Sequence, residues 1–190
     1  MPTAVPAQRI RLLVLDVDGV MTDGGISLDD LGRETKRFHV RDGAGIRMWM
    51  KLGLEVALIT GRSGMVVHHR ARELGITHVV TGSKDKAEAF ASLCAQLAIE
   101  PSAAAMLGDD IPDLSVLRVC GFPMAVADAS REVLAIARFV TKQPGGHGAV
   151  REAIEHILRA QGQWQAAIRV FDPAFSASGS CETPREGMES

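Results

Sequence analysis

The sequence predicts an α/β protein: a doubly wound parallel sheet, Rossmann-like, with helices on both faces. Three observations lead there. Short apolar runs recur along the chain, amphipathic segments of helical period separate them, and reactive side chains gather just after the runs. Alternating strands and helices fold as a parallel sheet, and such sheets bind ligands beyond the carboxyl ends of their strands.

The first run, "LLVLDV" (12–17), is apolar enough to be buried on both faces as a central strand. Further strands are expected at "EVALIT" (55–60), "HVVTG" (78–82), "AAAMLG" (103–108), "FPMAVA" (122–127) and "RFVT" (138–141). Helices are expected over 43–52, 65–74, 84–97, 111–120, 130–137 and 149–161. One segment breaks the alternation. "DGGISLDDLGRETKRFHV" (23–40) holds two short extended runs around the turn-rich "DDLG", which predicts a β-hairpin over about 24–39. It has too few apolar residues for a core of its own and must pack on its own domain or on another subunit. From about Gln163 the helical pattern decays; "FDPAFSASGSCETPREGMES" (171–190) is rich in Ser, Gly, Pro and Glu, and 163–190 reads as a flexible tail.

A chain of 190 residues with 46% hydrophobic content suits one ordinary domain. Its formal net charge of -2 gives no reason to expect a nucleic-acid or acidic-membrane partner. No apolar run reaches the roughly 20 residues that span a bilayer, and "MPTAVPAQRIR" lacks the apolar core of a signal peptide. Cys94, Cys120 and Cys181 are scattered and odd in number, which fits a cytoplasmic protein better than a disulfide frame.

Four expected strand ends carry the chemistry. Asp16, Asp18 and Asp23 follow the first, Thr60 ends the second, Lys84 and Lys86 follow the third, and Asp109, Asp110 and Asp113 follow the fourth. Crowded carboxylates repel one another unless a cation or a reaction needs them. Together the four ends suit phosphoryl transfer. An aspartate attacks phosphorus, oxygen ligands hold Mg²⁺, a hydroxyl and an ammonium hold the phosphoryl oxygens, and a second carboxyl group moves protons. Taken singly, each has a plainer reading: Thr60 as a helix cap, Lys86 as a solvated helix residue, "GDD" as a turn. The order of the four is what is specific.

That order, DxDG, then Thr, then Lys, then GDDxxD, resembles the haloacid dehalogenase superfamily of phosphatases. "LDVDGVMTDGGISLDDLGRETKRFHVRDGAGIRMWMKLGLEVALITGRS", "RARELGI", "GSKDK", "GDDIPDL", "VADA" and "GGHGAVRE" are similar to its 3-deoxy-D-manno-octulosonate 8-phosphate phosphatase branch. The resemblance covers about residues 9–162. It implies that Asp16 is the nucleophile and Asp18 the general acid/base. It also implies that Asp16, Asp109 and the Asp18 backbone carbonyl hold Mg²⁺, and that Thr60 and Lys86 hold the phosphoryl group. Asp113 would orient Lys86 or the metal's waters. Gly61, Arg62 and Arg70 are candidates for substrate contact; Arg70 is equally an exposed helix residue. Asp42 is a helix cap or a substrate contact, and the glycines of "GGHGAVRE" an anion site or a tight turn. The implied activity is hydrolysis of a sugar-acid phosphate in lipopolysaccharide precursor synthesis, in a homotetramer whose hairpins meet. No separate cap domain fits between the motifs. "IPDL" and Ala44 depart from the commonest forms of the branch and leave room for a nonulosonate 9-phosphate as substrate. A phospho-acceptor domain of the receiver type would place the acidic pair before the acceptor, the reverse of the order here, and a non-catalytic scaffold would not need every position filled.

Overall fold

In the computed structural model, residues 7–176 are described. Six strands form one parallel sheet: β1 (Leu12–Leu15), β4 (Glu55–Ile59), β5 (His78–Val80), β6 (Ala104–Gly108), β7 (Phe122–Ala125) and β8 (Phe139–Val140), in the spatial order β5-β4-β1-β6-β7-β8. The chain builds outward from β1 on one side, then returns to β1's other side with β6. The reversal opens a crevice beyond the ends of β4, β1 and β6. Leu12 pairs with both Glu55 and Ala104, and Leu15 with both Leu58 and Leu107. A strand flanked on both sides has to be apolar on both faces, and all four β1 residues are 0% exposed. Burying each such side chain contributes about 1.5–3 kcal/mol.

The helices fall into two groups. α1 (Val40–Lys51) packs on α2 (Met65–Leu74), α6 (Ala149–Ala160) and α7 (Trp164–Arg169). α3 (Lys86–Leu97) packs on α4 (Leu114–Leu117), which touches α5 (Arg131–Leu134). Trp49 on α1 is fully buried, and its indole Nε1 donates to the Glu55 carbonyl at 2.8 Å, satisfying the one polar atom it takes into the core.

Three expectations change. The helix expected over 111–120 is a 3-10 turn, Ile111–Asp113, followed by the short α4, because Pro112 and the side-chain bonds of Asp113 hold a tighter entry. The expected tail does not begin at 163. Ala167 of α7 is buried, and the Trp164 ring lies 5.2 Å from the Arg151 guanidinium and 4.8 Å from that of Arg159. Cation–ring contacts and a small apolar stripe thus extend the fold past Gln163, while residues 177–190 of the expected tail lie outside the described residues. The hairpin strands are also shorter than their extended runs: β2 (Ser27–Leu28) pairs antiparallel with β3 (Glu34–Thr35). Asp29 closes the turn, its Oδ1 accepting from Leu31 N at 3.0 Å and Arg33 N at 2.8 Å, with Gly32 at φ +72°.

Candidate active site

The crevice is a cleft of about 210 Å³ lined by Asp16, Asp18, Thr60, Lys86 and Asp109, with Gly61 and Arg62 at its side. Each residue arrives by a local rule. Asp16 directly follows β1, Thr60 follows β4 and Asp109 follows β6, so three adjacent strands deliver three groups to one place. Lys86 opens α3, whose first turn is capped by Asp85; its Oδ1 accepts from Ala87 N at 2.9 Å and Glu88 N at 3.1 Å.

Two glycines let the acidic turns meet. A Cβ on Gly19, which sits at φ +89°, would lie 2.1 Å from Asp109 Oδ2, and one on Gly108 would lie 2.6 Å from Asp113 Oδ2. No larger residue fits either point without moving a carboxylate.

Buried charge dominates the site. Lys86 Nζ donates to Asp16 Oδ1 at 2.8 Å and to Asp113 Oδ1 at 2.7 Å, and all three residues are buried. Asp113 Oδ2 accepts from Asp109 N at 3.0 Å, so one carboxylate orients both the lysine and the following turn. Asp16, Asp109 and Asp113 each offer an oxygen, and the three oxygens lie within 4.8 Å of one another. Burial, then the Asp113 charge, pushes Asp16 up to about 6, against the pull of Lys86. Burial and the charges of Asp16, Asp113 and Asp110 push Asp109 up to about 8. For Lys86 burial disfavours the ammonium, but the charges of Asp16 and Asp113 outweigh it and hold its pKa above the ordinary lysine value. The site therefore carries more negative charge than one lysine can balance. All its surplus donors are carboxylate oxygens, which fit a hard divalent cation such as Mg²⁺.

Both acids bind protons more tightly in the folded than in the unfolded chain. Without a divalent cation, stability present at low pH is therefore lost as pH rises through about 6 for Asp16 and about 8 for Asp109. In excess chelator the melting temperature is expected to fall from the unfolded carboxyl value of 3.8 up to about pH 8 and to level off above it. Asp109→Asn should flatten the upper part of that fall, and calorimetry at several pH values checks both.

The other expected residues divide. Thr60 is 1% exposed, and its Oγ1 accepts from Arg62 N at 3.3 Å. Arg62 reaches across the cleft, 3.0 Å from Glu34 Oε1 and 4.0 Å from Asp18 Oδ2. Arg70 is not brought to the crevice. Its guanidinium lies 5.5 Å from the Phe38 ring centroid and pairs with Glu73 at 2.7 Å, because α2 turns that face toward the base of the hairpin. The glycine-rich entry to α6 forms a tight turn: Gly146 N donates to the Val20 carbonyl at 2.9 Å, and a Cβ on Gly145 would strike the Gly19 carbonyl at 1.8 Å. Asp42 is a cap, but of α6 and not of its own helix. Its Oδ1 accepts from Arg151 N at 2.8 Å, filling the place an anion would take.

Sequence reasoning missed two residues. Glu34 and Lys36 fold back from the hairpin onto the crevice of their own chain. Lys36 Nζ donates to Asp18 Oδ1 and, at 2.9 Å, to Glu34 Oε1. The signal was present in their spacing, since side chains two apart on an extended strand share a face.

Residues 75–154 match the model of a haloacid dehalogenase-like hydrolase family. The 3-deoxy-D-manno-octulosonate 8-phosphate phosphatase of Escherichia coli K12 is 47% identical over 161 residues, covering 85% of this chain and 86% of that one. A crystal structure of the phosphatase of the same name from Moraxella catarrhalis, in complex with magnesium, phosphate and KDO, is 43% identical, with a TM-score of 0.84 over 87% of this chain and 95% of that one. The cobalt-bound form of the Haemophilus influenzae phosphatase is 38% identical, with a TM-score of 0.82 over 87% and 95%. Likeness this extensive, in sequence and in fold, places the chain: it belongs to the 3-deoxy-D-manno-octulosonate 8-phosphate phosphatase family of haloacid dehalogenase-like hydrolases.

Proposed function

We propose that the chain is a Mg²⁺-dependent phosphomonoesterase that hydrolyses 3-deoxy-D-manno-octulosonate 8-phosphate to the sugar acid and phosphate in lipopolysaccharide precursor synthesis. The observation that carries this reading is the meeting of Asp16, Thr60 and Asp109 at three adjacent strand ends around Lys86. Asp16 is the nucleophile and forms an aspartyl phosphate. Lys86, fixed by Asp113, and Thr60 hold the phosphoryl oxygens as charge moves from the leaving group to the carboxylate. Asp18 gives a proton to the departing alcohol, then takes one from the water that cleaves the acyl phosphate. Asp16, Asp109 and the Asp18 carbonyl would hold Mg²⁺, with Asp113 beside them, and the ion when bound neutralises phosphoryl charge. Gly61 and Arg62 line the substrate end of the cleft.

The hairpin points to a homotetramer. Ile26, Leu28 and Leu31 are 53%, 63% and 77% exposed in the single chain, and subunits that pair through hairpins bury such groups. The free, buried Cys94 and Cys120 accord with a cytoplasmic location, and no helix among the described residues is long and apolar enough to cross a membrane.

A panel of sugar-acid and ordinary sugar phosphates tests the reading, with light scattering on the same preparation. The expected result is a tetramer with its highest kcat/KM on the eight-carbon acid phosphate. A nonulosonate 9-phosphate as the best substrate would overturn the substrate assignment, and undiminished activity in excess chelator would overturn the mechanism. A monomer with full activity would overturn the assembly.

A further inference from the structure

The pair made by Lys36 is unusual in its setting. A surface lysine is normally solvated, yet the Lys36 side chain is only 2% exposed. Its ammonium is held between two carboxylates: Asp18, from the turn after β1, and Glu34, from its own strand edge. Glu34 is anchored in turn by Arg62 NH2 at 3.0 Å, and a Cβ on Gly64 would lie 3.2 Å from Glu34 Oε2, so the carboxylate sits close against the entry to α2. Four charged groups from three separate loops thus converge on one side of the cleft.

The arrangement treats the two oxygens of Asp18 differently. Oδ1 accepts from Lys36. Oδ2 is buried with no hydrogen-bond partner among the described residues, and Arg62 Nε is 4.0 Å away. A buried carboxylate oxygen without a donor is costly unless something is to meet it there. Oδ2 is thus the oxygen that the chain leaves with a lone pair unmet.

From this geometry we infer that Lys36, backed by Glu34, is a positioning residue for Asp18: it holds Oδ1 so that Oδ2 faces the bond being broken. Lys36 exchanges no proton itself. In the first half-reaction the proton on Oδ2 passes to the alcohol oxygen as the P–O bond to it breaks and the Asp16–phosphorus bond forms. In the second, Oδ2 takes a proton from water as water oxygen bonds to phosphorus and the bond to Asp16 breaks. Oδ1 remains the acceptor from Lys36 throughout. The hairpin then acts within its own chain as the backstop of the acid, whatever it does between subunits.

The inference rests on the assignment of Asp18 as general acid/base, and the test separates the two. Lys36→Met, Lys36→Arg, Glu34→Gln and Asp18→Asn are compared with the wild type in full-length protein at saturating Mg²⁺. Steady-state kinetics are combined with rapid-quench measurement of the first step, on the sugar-acid phosphate and on 4-nitrophenyl phosphate. A misplaced catalytic group costs on the order of 10²-fold. Lys36→Met is expected to slow the first step by about 10- to 100-fold on the alkyl phosphate, but by less than about threefold on the aryl phosphate, whose leaving group needs little protonation. KM and the Mg²⁺ activation constant should change by less than about threefold. Lys36→Arg, which keeps a donor, should recover part of the loss. Glu34→Gln, which loosens Lys36 without removing it, should show the same pattern in weaker form and keeps the test valid if Lys36→Met fails to fold. Equal losses on both substrates in the first step, or a loss confined to KM, would overturn the role of Lys36. Impairment of Asp18→Asn with an unimpaired Lys36→Met would also overturn it, whereas full activity of Asp18→Asn would instead remove the acid/base assignment beneath it.

Discussion

Asp16→Asn is expected to lower phosphate release by at least roughly 10³-fold while raising the melting temperature of the metal-free protein. The two effects share one cause. Asp16 is buried and faces Asp113 across Lys86, and its environment pushes it up to about 6. At neutral pH its charge is therefore held against an opposing field, in keeping with the nucleophilic role proposed for it. An amide of the same shape cannot attack phosphorus to give an acyl phosphate. It also removes the charge and leaves Lys86 paired with Asp113 at 2.7 Å. A gain of about 1 kcal/mol corresponds to about 2–4 °C for a chain of this size. Because the folded pKa is raised from 3.8 to about 6, the destabilisation by Asp16 builds up between those values, so the gain should be full at pH 8, smaller at pH 5 and absent only below the unfolded value. Phosphate-release assays and calorimetry in chelator on one variant check both halves. Retained turnover would remove Asp16 as nucleophile, and a lower melting temperature at pH 8 would show that its pairing with Lys86 outweighs its crowding.

The strand ends were the most legible part of the chain. Asp16, Thr60, Lys86 and Asp109 each follow a short apolar run, and a parallel sheet brings such ends together whatever the details of packing. α2 begins and ends where its pattern does, because Gly75 stops it in the left-handed conformation at φ 84°. What stayed hidden needed contacts between distant segments. Asp42 lies in the first turn of α1, yet its carboxylate caps α6, 109 positions along the chain. Arg70 carries a charge suited to a sugar acid, but the packing of α2 beside Phe38 turns it away from the cleft. Nothing in the sequence distinguishes Glu34 and Lys36 from other charged hairpin residues until the hairpin's angle to the sheet is known, and nothing local sets that angle. Trp164 and Ala167 sit in a stretch too short to show a helical period of its own, and only the arginines of α6 reveal that the ring is held.

Lys86→Met is expected to have the largest effect on the integrity of the site. Methionine matches the length of the stem but removes the cation that Asp16 and Asp113 share, at 2.8 and 2.7 Å. Asp113 is 1% exposed, so its carboxylate cannot recover hydration by turning outward. Breaking a buried ion pair from one side destabilises by about 3–5 kcal/mol, because the remaining charge has neither water nor partner. Two carboxylates would remain here, and they would repel. The loss should therefore be greatest at high pH without metal, and should shrink as pH falls and the carboxyl groups take up protons. Mg²⁺ should restore part of the stability, since a divalent cation held by Asp16 and Asp109 supplies charge where the ammonium did. It should not restore turnover, because no donor would then replace Lys86 at the phosphoryl oxygens, and removal of one such donor costs about 10²–10³-fold. The separation of recovered stability from unrecovered activity is the informative result. Calorimetry at pH 6 and 8, with and without Mg²⁺, and phosphate release on the same samples would measure it. A variant as stable as the wild type in chelator at pH 8 would show that Lys86 does not hold the two buried carboxylates in place.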